Sequence, residues 1–230
     1  MNRIATDLKG ITNWIFDLDD TLYPSSEEIF NQMAKRIKSF IMQALNVGEE
    51  EAFEIQKEYY KQYGATVRGL MLEHNIAPES FTDYVHELDL SCLKENPALK
   101  TCLDELPGKK YVFTNGAYQH AERVTERLGI RNCFDGIFSI REAAYLPKPA
   151  EKTYRNMLKA FNISPQTAIM FDDSQTNLKT AHDIGMKTVW ITTNERDNRY
   201  NKISDRPDFC DYQTDDLVGF LTGLLMDKTA

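Results

Sequence analysis

Short apolar runs that stop at polar residues recur along this chain. Trp14, Ile15 and Phe16 run into Asp17. Tyr111, Val112 and Phe113 run into Thr114 and Asn115, and Ala168 to Phe171 run into Asp172 and Asp173. Two more runs, Gly136 to Ile140 and Thr188 to Thr193, are strand candidates. Apolar runs without alternation, separated by helical stretches, predict a parallel sheet buried on both faces, and so an α/β fold. Ligands of such sheets bind beyond the carboxyl ends of the strands. Those ends carry Asp17, Thr114, Asn115, Asp172 and Asp173, so the polar residues fall where a site is expected.

From Pro24 to Leu93 the strand signal all but disappears. Ser25 with Glu28 makes a capping box at a helix start. Ile29, Met33, Ile37, Phe40, Ile41 and Ala44 then recur at helical spacing. Ala52, Gln56, Tyr59, Tyr60 and Tyr63 place a second stripe, ended by Gly64. A third helix is expected over Ala65 to His74. Pro78 opens a fourth, with Phe81, Tyr84, Val85 and Leu88 on one face. The pattern therefore divides the chain into a core, residues 1–23 and 94–230, and an inserted helical bundle, residues 24–93. Beyond Thr114, helices are expected over Ala117 to Leu128, Glu151 to Phe161, Ser174 to Gly185 and Asp215 to Met226. The polar run Asn194 to Pro207 reads as a surface loop.

Composition narrows the function classes. Of 230 residues, 42% are apolar and 27% charged, which is ordinary for a globular protein and excludes disorder or a fibre. The net charge is 27 − 35 = −8, so a broad face for nucleic acid is not expected. A small anionic substrate stays possible, because a local cation or metal can invert the local field. The longest apolar runs are four residues, against about 20 for a membrane span. The opening MNRIATDLKG has no apolar stretch of the kind a signal peptide needs. Cys92, Cys102, Cys133 and Cys210 form no C-x-x-C pair and read as reduced thiols, consistent with a cytoplasmic protein.

The candidate chemistry begins at Asp17-Leu18-Asp19-Asp20-Thr21, directly after a strand. Carboxylates two residues apart at a strand end repel each other unless a cation lies between them. A second pair, Asp172-Asp173, ends another strand, and the two pairs converging would suit a hard divalent metal. A carboxylate beside such a metal can attack phosphorus to form an aspartyl phosphate. A second carboxyl can act as general acid and then as general base. Thr114 and Asn115 offer a hydroxyl and a backbone N–H to a phosphoryl oxygen, and Lys148, before Pro149, offers a point charge. Each item alone is commonplace: a solvated Asp pair, a turn, a surface lysine. Their conjunction at strand ends is what carries the reading.

Taken in order, Asp17-Leu18-Asp19-Asp20-Thr21, Thr114-Asn115, Lys148 and Phe171-Asp172-Asp173-Ser174 resemble the four motifs of the haloacid dehalogenase (HAD) superfamily. That family has a Rossmannoid parallel-sheet core, and the helical insert resembles its C1-type cap. Asp20-Thr21-Leu22-Tyr23-Pro24 and the stretch from Tyr59 to Leu70 are similar, more closely, to the pyrimidine 5′-nucleotidase group. The resemblance implies Asp17 as nucleophile and metal ligand, and Asp19 as general acid/base with its carbonyl on Mg2+. It implies Thr114 and the Asn115 N–H on the phosphoryl group, and Lys148 against the charged intermediate. Asp173 matches the remaining ligand position better; Asp172 binds directly or through water. Asp20 stands where close relatives often carry Asn or Gly, and Asn177 where some members have another Asp.

The carboxyl at Asp19 implies phosphoryl transfer rather than dehalogenation, without separating phosphatase from phosphomutase. The resemblance makes the partner a small phosphate monoester, most closely a pyrimidine nucleotide. Other small phosphates, a sugar-phosphate mutase and a binding protein without turnover are the alternatives. Arg68 and Tyr23 are the cap residues expected to meet substrate, by charge and by stacking. His74, His86, His120 and His182 have no metal or triad spacing and read as surface or capping residues.

Overall fold

The computed structural model describes residues 8–24, 27–192 and 206–226. Six strands form one sheet: β1 Asn13–Phe16, β2 Lys109–Phe113, β3 Gly136–Phe138, β4 Ala168–Asp172, β5 Lys187–Ile191 and β6 Tyr212–Thr214. They lie in the order β3-β2-β1-β4-β5-β6, and every neighbouring pair is parallel. The order reverses between β1 and β4, which opens a crevice at their carboxyl ends.

Side chains of the central strands alternate between two apolar layers, as the period of two requires. Trp14, Phe16, Val112, Ile169, Phe171 and Val189 face one layer. Ile15, Tyr111, Phe113, Ala168, Met170 and Trp190 face the other. Both layers are covered by helices, so both strand faces are apolar and no alternation shows in the sequence. On the first side lie α5 Pro97–Glu105, α6 Tyr118–Arg127 and α9 Leu217–Met226, contributing Leu103, Val124 and Leu221. On the second lie α7 Glu151–Ala160 and α8 Gln175–Asp183, contributing Tyr154, Met157 and Leu178. Phe16 stacks on Phe171 with centroids 4.6 Å apart, locking β1 to β4 directly beneath the crevice.

Four helices fall in the insert: α1 Glu27–Leu45, α2 Glu49–Tyr63, α3 Thr66–His74 and α4 Pro78–Val85. They bury a third apolar cluster, in which Ile41, Ala52, Leu70, Phe81 and Val85 meet Ile140 and Tyr145 of the core. The last expected helix of the insert is shorter than its pattern: it stops at Val85, and Leu88 joins the core layer beyond it.

Other expected elements hold with shifts of a few residues. β3 ends at Phe138 rather than Ile140. α5 and β6 were not expected from the pattern. Ser25 of the expected capping box, and residues 193–205 of the expected strand end and loop, lie outside the described residues. All four cysteines are free, and three are buried. Among the described residues no helix is long and apolar enough to cross a membrane.

Candidate active site

Lys148 joins three strand ends. Its Nζ donates to Asp17 Oδ1 after β1, to the Phe113 carbonyl at the end of β2 and to Asp172 Oδ2 at the end of β4, each at 2.8 Å. An ammonium has three N–H donors, so all three are used. The residue is 2% exposed. Burial pulls its pKa down, but Asp17 and Asp172 outweigh burial and hold it above the ordinary lysine range. Removing one partner of a buried pair leaves an uncompensated charge, a cost of about 3–5 kcal/mol.

The local chain sets these groups in place. The Asp17 N–H donates to Phe171 O at 2.8 Å, which keeps Asp17 in register beside Asp172. Asn115 grips the Lys148 backbone from both sides: Oδ1 accepts from Lys148 N at 2.8 Å and Nδ2 donates to Lys148 O at 3.1 Å. Asp20 has φ 62°, a left-handed conformation that favours Gly, Asn and Asp. A third carboxylate in this motif therefore has a backbone reason. Asn177 donates to both Asp172 oxygens, at 3.0 and 3.2 Å, and the Ser174 N–H donates to Asp172 Oδ1 at 2.8 Å.

Asp17, Asp172 and Asp173 each offer a carboxylate oxygen within 4.8 Å of the others. With only Lys148 between them the formal sum is −3 + 1 = −2. Burial first, then Asp172 and Asp19, push Asp17 up to about 7 against the pull of Lys148. Asp173 is raised for the same reasons, burial ahead of Asp172 and Asp17. Hard oxygen donors crowded beyond the charge available to them are the donor set a divalent cation needs, so these residues fit magnesium. Asp172 already accepts from three protein groups through both oxygens, whereas Lys148 spends only one bond on Asp17.

Thr114 is buried, and its Oγ1 accepts from the Gly116 N–H at 2.9 Å, leaving the hydroxyl proton to donate. A Cβ at Gly116 would lie 3.2 Å from Thr114 Oγ1 and 3.6 Å from His86 Nε2. The turn thus brings the end of α4 against the Thr114 loop. Arg68, on α3, is half-buried and donates to the Tyr145 carbonyl at 3.3 Å. Tyr23 is buried with its hydroxyl on Asp19 Oδ1 at 2.5 Å.

Two histidines that the sequence reads as surface or capping residues stand beside this group; for His120 that reading is corrected, since it is buried against Asp19, whereas His86 does cap its helix. His120 is fully buried in the first turn of α6, and its Nε2 lies 2.9 Å from Asp19 Oδ1. His86 packs against it with ring centroids 4.9 Å apart. Burial, then His120, lower the His86 pKa to about 4. Asp19 is set at about 2: burial would raise it, but His120 and the Tyr23 hydroxyl together more than reverse that. No local spacing in the sequence marks His120 for this place, because its partner lies 101 residues away.

The family model of haloacid dehalogenase-like hydrolases matches residues 12–185. Glyceraldehyde 3-phosphate phosphatase of Methanocaldococcus jannaschii is 30% identical over 91% of this chain and 94% of its own length. Phosphate metabolism protein 8 of Saccharomyces cerevisiae is 29% identical over 76% of this chain, and the match spans 60% of that protein. Among solved structures, L-2-haloacid dehalogenase from Xanthobacter autotrophicus superposes with a TM-score of 0.57 at 16% identity. That superposition covers 96% of this chain and all of that one. At that identity the likeness concerns the fold alone.

Proposed function

The chain belongs to the haloacid dehalogenase-like hydrolases, and on that premise we propose that it is a magnesium-dependent phosphatase of small phosphate monoesters working through an aspartyl phosphate. The observation that carries this is the buried Lys148 ammonium held between Asp17 and Asp172 at the sheet's switch point. It neutralises one carboxylate that must attack an anion and anchors itself on another. Asp17, Asp173 and the Asp19 main-chain carbonyl would hold the magnesium ion, which supplies positive charge facing the phosphoryl oxygens.

The rest is work for the chain's own side chains. The Asp17 carboxylate attacks phosphorus, and the bond to the leaving oxygen breaks with its electron pair on that oxygen. Asp19 gives that oxygen a proton, then takes one from the water that cleaves the acyl phosphate. Its low pKa keeps it ionised, the form from which the base role starts; both roles gain strength when the anionic phosphoryl group sits beside it and pushes the carboxyl up. The Thr114 hydroxyl and the Asn115 N–H bind phosphoryl oxygens, and Lys148 faces the charge that builds up on transfer. The helices of residues 24–93 act as a cap that selects what the phosphate is attached to.

For that selection two readings stand. The motif resemblance favours a pyrimidine 5′-nucleotide, with Arg68 reading the base. The placement of the aromatic residues favours a smaller sugar or triose phosphate. Tyr23 and Tyr59 are buried with their hydroxyls on Asp19 and His74, so neither of these rings has a face open to a base, and the Tyr63 hydroxyl is tied to Glu73. Relatives named as glyceraldehyde 3-phosphate phosphatases support the second reading.

The test is phosphate release from UMP, CMP, dTMP, AMP, GMP, glyceraldehyde 3-phosphate and several sugar phosphates, with magnesium and with EDTA. Release that needs magnesium and vanishes in Asp17→Asn is expected. Turnover surviving in Asp17→Asn would overturn the mechanism. The ranking of esters decides between the two substrate readings.

A further inference from the structure

The hydrogen bonding of Asp19 is lopsided. The Tyr23 hydroxyl, at 2.5 Å, and His120 Nε2, at 2.9 Å, both converge on Oδ1. Among the described residues Oδ2 has no such partner. The two donors reach Asp19 from different parts of the chain. Tyr23 lies four residues on, where the chain leaves for the helical insert, and His120 lies 101 residues away on α6. Both are buried.

The cost of placing His120 there is visible. Its Nδ1 is buried with no hydrogen-bond partner among the described residues, an arrangement that folded proteins rarely tolerate. Its other face packs on His86, whose Nδ1 is committed to the Thr82 carbonyl at 2.9 Å. Among the described residues the one hydrogen bond the His120 ring makes is to Asp19. A side chain that serves only packing would be apolar at this position, since an imidazole with an orphaned nitrogen is worse than an aliphatic group of the same shape.

We propose that Tyr23 and His120 are positioning residues. They hold Asp19 Oδ1 from two sides, fix the plane of the carboxyl group and leave Oδ2 as the oxygen that passes the proton. This rests on the phosphatase reading. In the first step the proton on Oδ2 moves to the leaving oxygen as the phosphorus–oxygen bond breaks and the phosphoryl group passes to Asp17. In the second, Oδ2 takes a proton from water as the water oxygen bonds to phosphorus and the Asp17 carboxylate leaves. Oδ1 exchanges no proton in either step. A carboxyl free to rotate would offer the leaving oxygen a poorer alignment, and proton transfer depends on alignment within hydrogen-bond reach.

The prediction separates esters by their need for a proton. A nitrophenolate leaves without one; an alkoxide does not. kcat/KM reports only the steps up to transfer onto Asp17, so it isolates the acid role. For Tyr23→Phe and His120→Leu we expect kcat/KM to fall about 10- to 100-fold on the best alkyl phosphate of the panel above. On p-nitrophenyl phosphate the fall should be under about threefold, because no proton is needed. His120→Gln keeps an N–H at a similar reach and should restore most of the loss.

The ratio of the two esters is internal to each preparation, so misfolded molecules cancel from it. If His120→Leu does not fold, Tyr23→Phe and His120→Gln carry the test. Equal losses on both esters, or no loss on either, overturn the proposal. A wild type active on p-nitrophenyl phosphate and alkyl esters alike leaves the phosphatase reading standing when the variant ratio fails. A wild type that hydrolyses no ester sinks both.

Discussion

Asp172 and Asp173 are adjacent and chemically identical, yet their surroundings differ. Asp172 is fully buried, and its oxygens accept from Lys148, Asn177 and the Ser174 N–H. Asp173 is less buried and lies across from Asp17. Asp173→Asn should therefore weaken magnesium binding about 10- to 100-fold, with activity recovered as magnesium is raised. Asp172→Asn should lower turnover by a similar factor and resist that rescue, because it loosens Lys148 rather than the ion. A magnesium titration of activity for the two variants checks this; the reverse pattern would exchange their roles. The residues of this site were legible where each follows an apolar run or precedes a proline. Asp17, Thr114, Lys148 and Asp172 stand so in the sequence, and in the structure Lys148 joins Asp17, Asp172 and the carbonyl of Phe113, the residue before Thr114. His120 was not legible in its role. A hydrogen bond across 101 residues leaves no local spacing behind, and a histidine inside an amphipathic helix looks the same whether it faces water or a carboxylate.

Elements were legible to the degree that burial is uniform along them. Four of the five expected runs became strands of four or five residues, and the fifth, Gly136 to Ile140, the three-residue β3, because both faces of the sheet are covered. β6 has three residues, Tyr212, Gln213 and Thr214, none fully buried; it pairs with β5, and Tyr212 packs on Phe220. No apolar run announces such an edge strand. α5 did have a readable start, since Asn96 caps it through Leu99 N at 3.0 Å and Pro97 follows. Inside the insert, one contact sets two helices against each other. A Cβ added at Gly69 on α3 would lie 2.3 Å from the Tyr59 ring on α2. Helix propensity alone predicts that Gly69→Ala stabilises by about 1 kcal/mol. An overlap of that size with an anchored ring costs more. Tyr59 is buried and its hydroxyl is tied to His74 at 2.6 Å, so it has little room to yield. Urea unfolding of Gly69→Ala should show a net loss of about 1–2 kcal/mol. A gain would mean that the two helices separate at no cost and that their packing is loose.

Across the whole molecule, folding gathers carboxyl groups of a chain that already carries a net charge of −8. Burial and then neighbouring carboxylates raise Asp17 to about 7 and move Asp173 the same way. A carboxyl raised in the folded state holds a proton there that the unfolded chain has already released. Stability therefore falls as pH climbs toward and through the folded value. His86 acts with the opposite sign. Burial and then His120 lower it to about 4, so from there to about 6.5 the unfolded chain binds the extra proton and stability rises with pH. Asp19, held at about 2, contributes stability that is lost only as pH falls below the ordinary carboxylate range. Above about pH 6.5 the contributions of His86 and Asp19 are complete, and that of the raised carboxyls is left alone. In EDTA, Tm should fall between pH 6.5 and 8, and Asp17→Asn should flatten the fall. On the proposed function, magnesium held by Asp17 and Asp173 would take the place of the protons they shed, so it should raise Tm more at pH 8 than at pH 6.5. Thermal unfolding at the two pH values, with and without the ion, checks both slopes. A magnesium effect larger at pH 6.5, or none at either pH, would remove the ion from these carboxylates and leave Lys148 as the sole counter-charge at the crevice.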